Sequence, residues 1–228
     1  MRLTSLLGLL APAVAAALPT NTTASPPKDE ITINSVTTSG SGCPNGTVSV
    51  TISDDRTVVT LGFDQFQTYL GPSPRSPRGR RARGPARDDE RRKTCLIRLN
   101  VNEPPGFTFA VLDATYHGFA QLDGGVTGSF ASSYSFAESG GSSAATTASI
   151  FGGGGFANGT VFTQHSDIPT ASVVRSPCGR NATLFIRTTI DLTSSNSSAS
   201  GAITDDDATF AFTHQLHLGW DSGARCAS

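Results

Sequence analysis

The chain has 228 residues, a formal net charge of −1 at pH 7, 37% hydrophobic residues and 15% charged residues. Beyond its N-terminal segment, no apolar run approaches the roughly 20 residues that a membrane-spanning helix requires, so the composition excludes a helical membrane protein. The length suits one all-β domain, and the composition assigns no activity.

The N-terminus has the pattern of a secretory signal peptide. Arg2 precedes an apolar run from Leu3 to Leu18 that closes with three consecutive alanines. We expect residues 1–17 to be removed on export and the polar residues 18–29 to form a flexible leader. The C-terminus lacks the hydrophobic tail of a lipid-anchor signal, so we expect a secreted protein with no membrane span.

From residue 30 onward, apolar and polar residues alternate with a period of two. The alternation recurs in five runs, which are Val48, Val50 and Ile52; Ile97, Leu99 and Val101; Val126, Phe130, Tyr134 and Phe136; Leu184, Ile186, Ile190 and Leu192; and Phe210, Phe212, Leu216, Leu218 and Trp220. This period is typical of half-buried strands in antiparallel sheets, and Gly-rich and Pro-rich turns separate the runs. About ten such strands predict an all-β fold, an antiparallel two-layer β-sandwich or jelly roll formed by one domain over residues 30–228.

A basic segment interrupts this pattern at residues 72–93. In it, nine basic and three acidic residues give a net charge of +6, which leaves −8 on the rest of the mature chain. We interpret the segment as a disordered insert, because it has no apolar period. It also has no aromatic residue to stack on a base, and the body of the chain would repel phosphate, so we expect no nucleic acid partner.

Two further interpretations of the insert stay open. The basic clusters Arg80-Arg81 and Arg91-Arg92-Lys93 are candidate cleavage sites for a protease of the secretory pathway. A retained intron in the gene model would also produce an arginine-rich segment of this kind.

Four cysteines, Cys43, Cys95, Cys178 and Cys226, are expected to form two disulfides in an oxidising compartment. Three pairings are possible, and the sequence alone does not choose among them. The segments "CPNGTVSV" and "CGRNATLFI" each contain a Cys, then Asn-x-Thr, then a strand-like run. If they mark related halves, the pairs are Cys43–Cys95 and Cys178–Cys226, which we adopt as a hypothesis. The absence of a Cys-x-x-Cys pair disfavours a zinc site.

Asn-x-Ser/Thr sequons agree with export, and they predict a glycoprotein. They begin at Asn21, Asn45, Asn158, Asn181 and Asn196. Because short sequons also arise by chance in a chain rich in Ser and Thr, we expect about two or three of them to be used.

The sequence contains no recognisable catalytic constellation, and we assign no catalytic residue, metal or cofactor. Within "HQLH", His214 and His217 would lie on opposite faces of a strand, where they cannot share a metal ion. We expect His214 to be buried and hydrogen-bonded and His217 to be solvated. The pair Asp54-Asp55 is typical of a tight turn, and we interpret the run at 205–207 as a solvated loop rather than a calcium site.

Several segments resemble a family of small secreted, cysteine-containing fungal proteins that is catalogued as a domain of unknown function. They are "ITINSVTTSGSGCPNGTVSVTISDDRTVVTLGFD", "KTCLIRLNV", "GFTFAVLDATYHGFAQLDGGVTGSF" and "SPCG", followed by a closing cysteine. The resemblance implies secretion, a β-rich fold and four cysteines, and it supplies no catalytic residues. The basic insert departs from the family pattern, in which we expect a shorter loop.

Two functions follow from these observations. The first is a non-catalytic extracellular or cell-wall-associated protein whose partner is wall polysaccharide or another extracellular surface. The second is a secreted hydrolase acting on polysaccharide through paired carboxylates, with Asp113, Asp123 and Asp191 as candidate acids. A β-sandwich hosts either function, so the fold does not choose between them. The oligomeric state is left open.

Overall fold

The computed structural model describes residues 25–71, 88–204, 212–222 and Cys226. Several sequence predictions lie outside these residues, namely the signal peptide at 1–17, the sequon at Asn21, the basic pair Arg80 and Arg81, and the acidic run at 205–207. Most of the leader and of the basic insert also lie outside them.

Twelve strands account for most of the described residues. They are β1 Thr32–Ser39, β2 Val48–Ile52, β3 Val58–Phe63, β4 Thr68–Leu70, β5 Arg92–Asn102, β6 Phe107–Leu122, β7 Val126–Phe136, β8 Ala144–Phe151, β9 Thr160–Asp167, β10 Ala182–Ser194, β11 Gly201–Thr204 and β12 Phe212–Ser222. The helices are α1 Asp88–Arg91 and three short 3-10 helices at Lys28–Glu30, Gly154–Asn158 and Thr170–Ser172. Strands β4 and β11 have three and four residues, too few for an alternating pattern to reveal them. No helix in the described part of the chain is long and apolar enough to cross a membrane.

Every strand pairing among the described residues is antiparallel, and the pairings form two sheets. The smaller sheet has the order β1-β5-β10-β7-β8, and the larger has the order β2-β3-β12-β6-β11-β4. Strand β9 also pairs with β6, over Asp113 to Ala120. Strands β12 and β11 pair in succession with the other side of β6, so β12, β6 and β9 lie side by side, with β9 at an edge of the described sheet.

The two sheets face each other across one hydrophobic core. Along β5, Ile97 is buried while its neighbour Arg98 is exposed, so alternate side chains point inward. From the smaller sheet, Phe130 stacks on Tyr116 and Phe212 of the larger one, with ring centroids 5.4 and 6.1 Å away. Burying a large apolar side chain of this kind contributes about 1.5–3 kcal/mol. The predicted all-β, antiparallel two-layer sandwich is confirmed.

Two disulfides tie peripheral segments to the sheets. Cys43–Cys95 joins the turn after β1 to β5, and Cys178–Cys226 joins the loop before β10 to the segment after β12, with Cα separations of 5.3 and 5.4 Å. The pairing adopted from the internal similarity is therefore confirmed. The two bridges span 52 and 48 residues of sequence. On the chain-entropy model, loops of that length correspond to about 4 kcal/mol of stabilisation each.

The last residues of the predicted leader, which the sequence places at 18–29, are attached to the sandwich. Lys28–Glu30 forms a turn of 3-10 helix that two hydrogen bonds attach to the sandwich. Arg56 Nε donates to the carbonyl oxygen of Lys28 at 3.3 Å, and Asn102 Nδ2 donates to that of Glu30 at 2.7 Å. The following residue, Ile31, is buried in the core and anchors the segment.

The prediction that the basic insert is disordered through residue 93 is wrong for residues 88–93. Residues Asp88–Arg91 are helical, and β5 begins at Arg92. Strand pairing explains the difference, because Arg92 and Lys93 lie opposite Asp191 and Ile190 of β10. Cleavage at the predicted cluster of Arg91, Arg92 and Lys93 would require this end of the strand to unpair, and it stays a prediction.

A β-bulge in β6 shapes the outer surface of the larger sheet. His217 lies opposite Asp113, whereas the next residue of β12, Leu218, lies opposite Val111, which leaves Leu112 without a partner on β12. An extra residue of this kind shifts the alternation of a strand. Val111 therefore points into the core, and Asp113 points away from it.

Candidate functional site

The outer surface of β12, β6 and β9 carries a grid of polar side chains. The strand register places them in three rows, which run Thr213, His117 and Thr163; Gln215, Thr115 and His165; and His217, Asp113 and Asp167. We call these nine residues the outer polar face. Its first two rows hold hydroxyls, one amide and two imidazoles, and none of the nine is a lysine or an arginine.

Hydrogen bonds between neighbouring strands order this face. His117 Nδ1 lies 2.9 Å from Thr163 Oγ1, and His165 Nδ1 lies 3.1 Å from Thr115 Oγ1. Cross-strand pairs of this kind stabilise a sheet and fix side-chain positions. The face is therefore a preformed array of groups that both donate and accept hydrogen bonds.

A cluster of two imidazoles and two carboxylates lies at one end of the face. His217 Nδ1 contacts Asp113 Oδ1, and His165 Nδ1 lies 3.7 Å from the same oxygen. His165 Nε2 is 3.1 Å from Asp167 Oδ1. Ligand atoms of Asp113, His165 and Asp167 all lie within 4.8 Å of one another. We call these four residues the His–Asp cluster.

His214, on the other side of β12, is fully buried, as the sequence predicts. Its Nε2 lies 3.0 Å from Tyr134 Oη, its Nδ1 lies 3.2 Å from Thr188 Oγ1, and its ring stacks on Tyr116 with centroids 4.7 Å apart. Burial lowers the pKa of His214 to about 3, so the ring is neutral at physiological pH. The histidine therefore belongs to a polar network inside the core. Its neighbour His217, expected to be solvated, is partly exposed and bound to Asp113.

A second buried polar group is Glu103, which is 3% exposed. Burial raises the pKa of Glu103 to about 8, although a hydrogen bond from Ser176 opposes that shift. The Ser176 hydroxyl donates to Glu103 Oε2 at 2.9 Å and accepts a hydrogen bond from the Phe109 amide, also at 2.9 Å. The carboxyl group is therefore protonated at neutral pH. Its Oε2 accepts the hydrogen bond from Ser176, whereas its Oε1 is buried without a hydrogen-bond partner among the described residues.

The candidate acids of a hydrolase do not converge. Asp113 lies on the outer surface of the larger sheet, whereas Asp191 lies on the outer surface of the smaller one, between two inward-facing residues of β10. Asp123 follows β6, and its Oδ2 accepts hydrogen bonds from the Ser200 amide and hydroxyl at 2.8 and 2.7 Å. These two hydrogen bonds lower the pKa of Asp123, and the bond from the Ser200 amide has the larger effect. Acids on opposite surfaces cannot flank one glycosidic bond.

The turn predicted at Asp54-Asp55 is confirmed. It connects β2 to β3, and Asp55 accepts hydrogen bonds from the Ser53 hydroxyl and the Thr57 amide. These hydrogen bonds lower the pKa of Asp55 to about 2, and the bond from Ser53 has the largest effect. The carboxylate therefore shapes a hairpin.

The four sequons within the described residues lie at the surface, where glycans have room. Asn45, Asn158, Asn181 and Asn196 are all exposed. Asn181 also accepts a hydrogen bond from Asn34 Nδ2 at 3.2 Å. Which of them carry glycans stays a prediction.

The sequence does not predict the His–Asp cluster, and no metal ligand is assigned from it. Asp113 and His217 are separated by 104 residues and meet only because β6 pairs with β12. One local signal exists, since His165 and Asp167 are two residues apart and side chains at that spacing lie on the same face of a strand. The bulge that turns Asp113 outward has no such signal.

The fold and its bridges define a disulfide-bonded, two-layer β-sandwich protein. The chain belongs to the family described as Domain of unknown function (DUF4360), whose model matches residues 29–223. An uncharacterized secreted protein of Arthroderma benhamiae is 35% identical over 195 residues, which cover 86% of this chain and 73% of that protein. The protein is secreted, as its N-terminus predicts.

Two solved structures are distantly similar to this chain. TmCBM61, in complex with β-1,4-galactotriose, is 8% identical with a TM-score of 0.24, covering 84% of this chain and 90% of its own. A family 11 carbohydrate-binding module from Clostridium thermocellum, in complex with a mixed-linked tetrasaccharide, is 12% identical with a TM-score of 0.23, covering 82% and 90%.

Proposed function

We propose that the protein is a non-catalytic glycoprotein of the fungal cell surface that binds neutral wall polysaccharide through its outer polar face. The observation that carries the proposal is the chemistry of the first two rows of that face. Hydroxyl, amide and imidazole groups stand there in register on three adjacent strands. Sugar hydroxyls both donate and accept hydrogen bonds, and so do these side chains.

The geometry of the face supports a polymer as the ligand. Neighbouring strands are about 4.8 Å apart, and residues on one face of a strand repeat at about 6.8 Å, so the grid offers contacts in both directions. A polysaccharide presents the same hydroxyls in every unit, and weak contacts repeated along one chain add up to useful avidity. The absence of lysine and arginine from the nine positions favours a neutral polymer over an acidic one.

An apolar strip next to the first row also supports the proposal. Phe119 and Val161 lie opposite each other on β6 and β9. Each is two residues along its strand from the first row, Phe119 from His117 and Val161 from Thr163. Val161 is 41% exposed. The C–H faces of sugar rings pack well on apolar side chains, aromatic rings above all. The hydrolase alternative lacks comparable support, because its candidate acids lie on opposite surfaces.

Retention on insoluble polysaccharides tests the proposal. The secreted protein is expected to be retained on chitin, β-glucan or mannan, and the double variant Thr115→Ala/Gln215→Ala is expected to lose most of that retention. The matched control, Thr127→Ala/Ser133→Ala, removes two polar groups from the outer surface of the smaller sheet and should bind like the wild type. Loss of binding in both variants, or no retention of the wild type on any of the three polymers, would contradict the proposal.

Export and glycosylation belong to the same proposal. Removal of residues 1–17 and attachment of glycans at two or more of the exposed sequons would suit a protein resident at the wall. Mass spectrometry of the secreted protein, before and after enzymatic removal of N-glycans, measures both. A mass equal to that of the unprocessed chain would count against this part of the proposal.

A further inference from the structure

We propose that the His–Asp cluster is a surface site for one divalent transition-metal ion, of the class represented by Zn²⁺. This inference goes beyond polysaccharide binding and does not depend on it. The two imidazoles and two carboxylates come from three adjacent strands whose hydrogen-bonded register holds them together. Zn²⁺ is bound in proteins by this combination of nitrogen and oxygen ligands.

The electrostatic arrangement of the cluster calls for a cation. Within the described part of the chain, histidines are the ion-pair partners of Asp113 and Asp167, and no lysine or arginine neutralises either carboxylate. In a neutral imidazole one ring nitrogen carries a proton and can donate to a carboxylate, whereas the other nitrogen is bare. The two ring nitrogens of His165 lie 3.7 Å from Asp113 Oδ1 and 3.1 Å from Asp167 Oδ1, so one of them faces a carboxylate without a proton of its own. A metal ion at this position would be bound by that nitrogen and the carboxylates together.

The chemistry of the donors selects the ion. Imidazole nitrogen suits zinc, copper and nickel, whereas Mg²⁺ and Ca²⁺ prefer an all-oxygen shell. Zn²⁺ has no geometric preference of its own, so it tolerates ligands whose directions are set by a sheet.

The cluster is also accessible. The side chains of His165, Asp167 and His217 are 51%, 82% and 40% exposed, whereas Asp113 is only 19% exposed. Asp113 is therefore the least exposed of the four proposed ligands, and the three others surround it. A shared Zn²⁺ ion would lie about 2.0–2.2 Å from its nitrogen and oxygen ligands.

Isothermal titration of the metal-free secreted protein with Zn²⁺ tests the inference. We expect one equivalent to bind, with His165→Ala and His217→Ala each weakening the affinity at least about tenfold. Asp167→Asn, a nearly isosteric change at an exposed position, should also weaken it. His117→Ala is the matched control, because it removes a histidine from the same face in a row without carboxylates, and its affinity should stay within about twofold of wild type.

Two further measurements make the result decisive. Co²⁺ in place of Zn²⁺ should give the visible absorption of a nitrogen- and oxygen-ligated ion, and His165→Ala and His217→Ala should reduce that absorption. Ca²⁺ and Mg²⁺ at the same concentrations should give no comparable heat. The inference is overturned if Zn²⁺ does not bind, if His117→Ala lowers the affinity as much as the cluster variants do, or if Ca²⁺ binds as tightly as Zn²⁺. Because polysaccharide retention is measured separately, its failure would leave this result unaffected.

Discussion

Replacing Glu103 with glutamine should remove the loss of stability that ionisation of this buried carboxyl group causes as the pH rises. In the unfolded chain this carboxyl group ionises near its ordinary pKa of 4.5, whereas burial raises its pKa to about 8 in the folded protein. Between these values the folded state therefore holds one more proton than the unfolded state. The contribution of Glu103 to the free energy of unfolding therefore falls with increasing pH between about 4.5 and about 8.

The magnitude follows from proton linkage. One proton of difference changes the unfolding equilibrium constant by up to about tenfold per pH unit. Glu103→Gln cannot ionise, so its stability relative to the wild type should increase steadily from about pH 5 to about pH 8. Above the folded pKa the difference should level off. Glutamine keeps the shape of the side chain and an oxygen that accepts the hydrogen bond of Ser176.

Urea unfolding at a series of pH values measures this difference. The protein has one tryptophan, and Trp220 reports on folding because its indole packs on Phe109 and donates a hydrogen bond to the Arg56 carbonyl oxygen at 2.8 Å. Glu30→Gln, at an exposed position, is the matched control and should follow the wild type. Curves for wild type and Glu103→Gln that run parallel from pH 5 to pH 8 would refute the assignment of a buried, protonated carboxyl.

The core network and the disulfides give two further predictions. His214→Gln should lower the free energy of unfolding at pH 7 by about 1–3 kcal/mol, because it disturbs the buried hydrogen bonds to Tyr134 and Thr188. It should also remove this histidine's share of the loss of stability on acidification, since an unfolded histidine is protonated below its ordinary pKa of 6.5 whereas the buried ring stays neutral to about pH 3. The stability of the variant relative to the wild type should therefore increase as the pH falls from about 6.5 to about 3, and a constant difference in urea unfolding would contradict this. Replacing Cys43 and Cys95 together with alanine should lower stability by about 2–5 kcal/mol in the same assay, and a change below about 0.5 kcal/mol would show that the bridge is not structural.

Much of the fold follows from local sequence patterns. The alternation of Ile97, Leu99 and Val101 fixes which face of β5 is buried, because the side chains of a strand alternate between two faces. The pairing of Cys43 with Cys95 could be proposed from an internal similarity. The short strands β4 and β11 could not be recognised, because pairing with longer strands rather than a pattern of their own determines them.

The boundaries of ordered structure depend on tertiary contacts, and the sequence places them less well. Lys28 lies in a polar segment typical of a leader, and a hydrogen bond from Arg56 attaches it to the sandwich. Arg92 belongs to a basic run, and its pairing with Asp191 brings it into the sheet. In both places long-range contacts outweigh local composition.

The candidate site was the least predictable part of the protein. His214 could be placed in the core because it shares the alternation of its strand. The cluster around Asp113 could not be found, since it depends on the register of three strands and on a bulge that reverses the direction of one side chain. Neither the register nor the bulge leaves a signature in a single sequence.

The central claim is that the outer polar face of the larger sheet is the surface that binds polysaccharide. The most direct test is an NMR titration of the isotopically labelled protein with soluble oligosaccharides of β-glucan, chitin and mannan. One of these should shift amide resonances of Thr115, Thr163 and Gln215 while leaving those of Thr127 and Ser133, on the opposite surface, in place. Shifts concentrated on the smaller sheet, or no shifts with any of the three sugars, would contradict the claim.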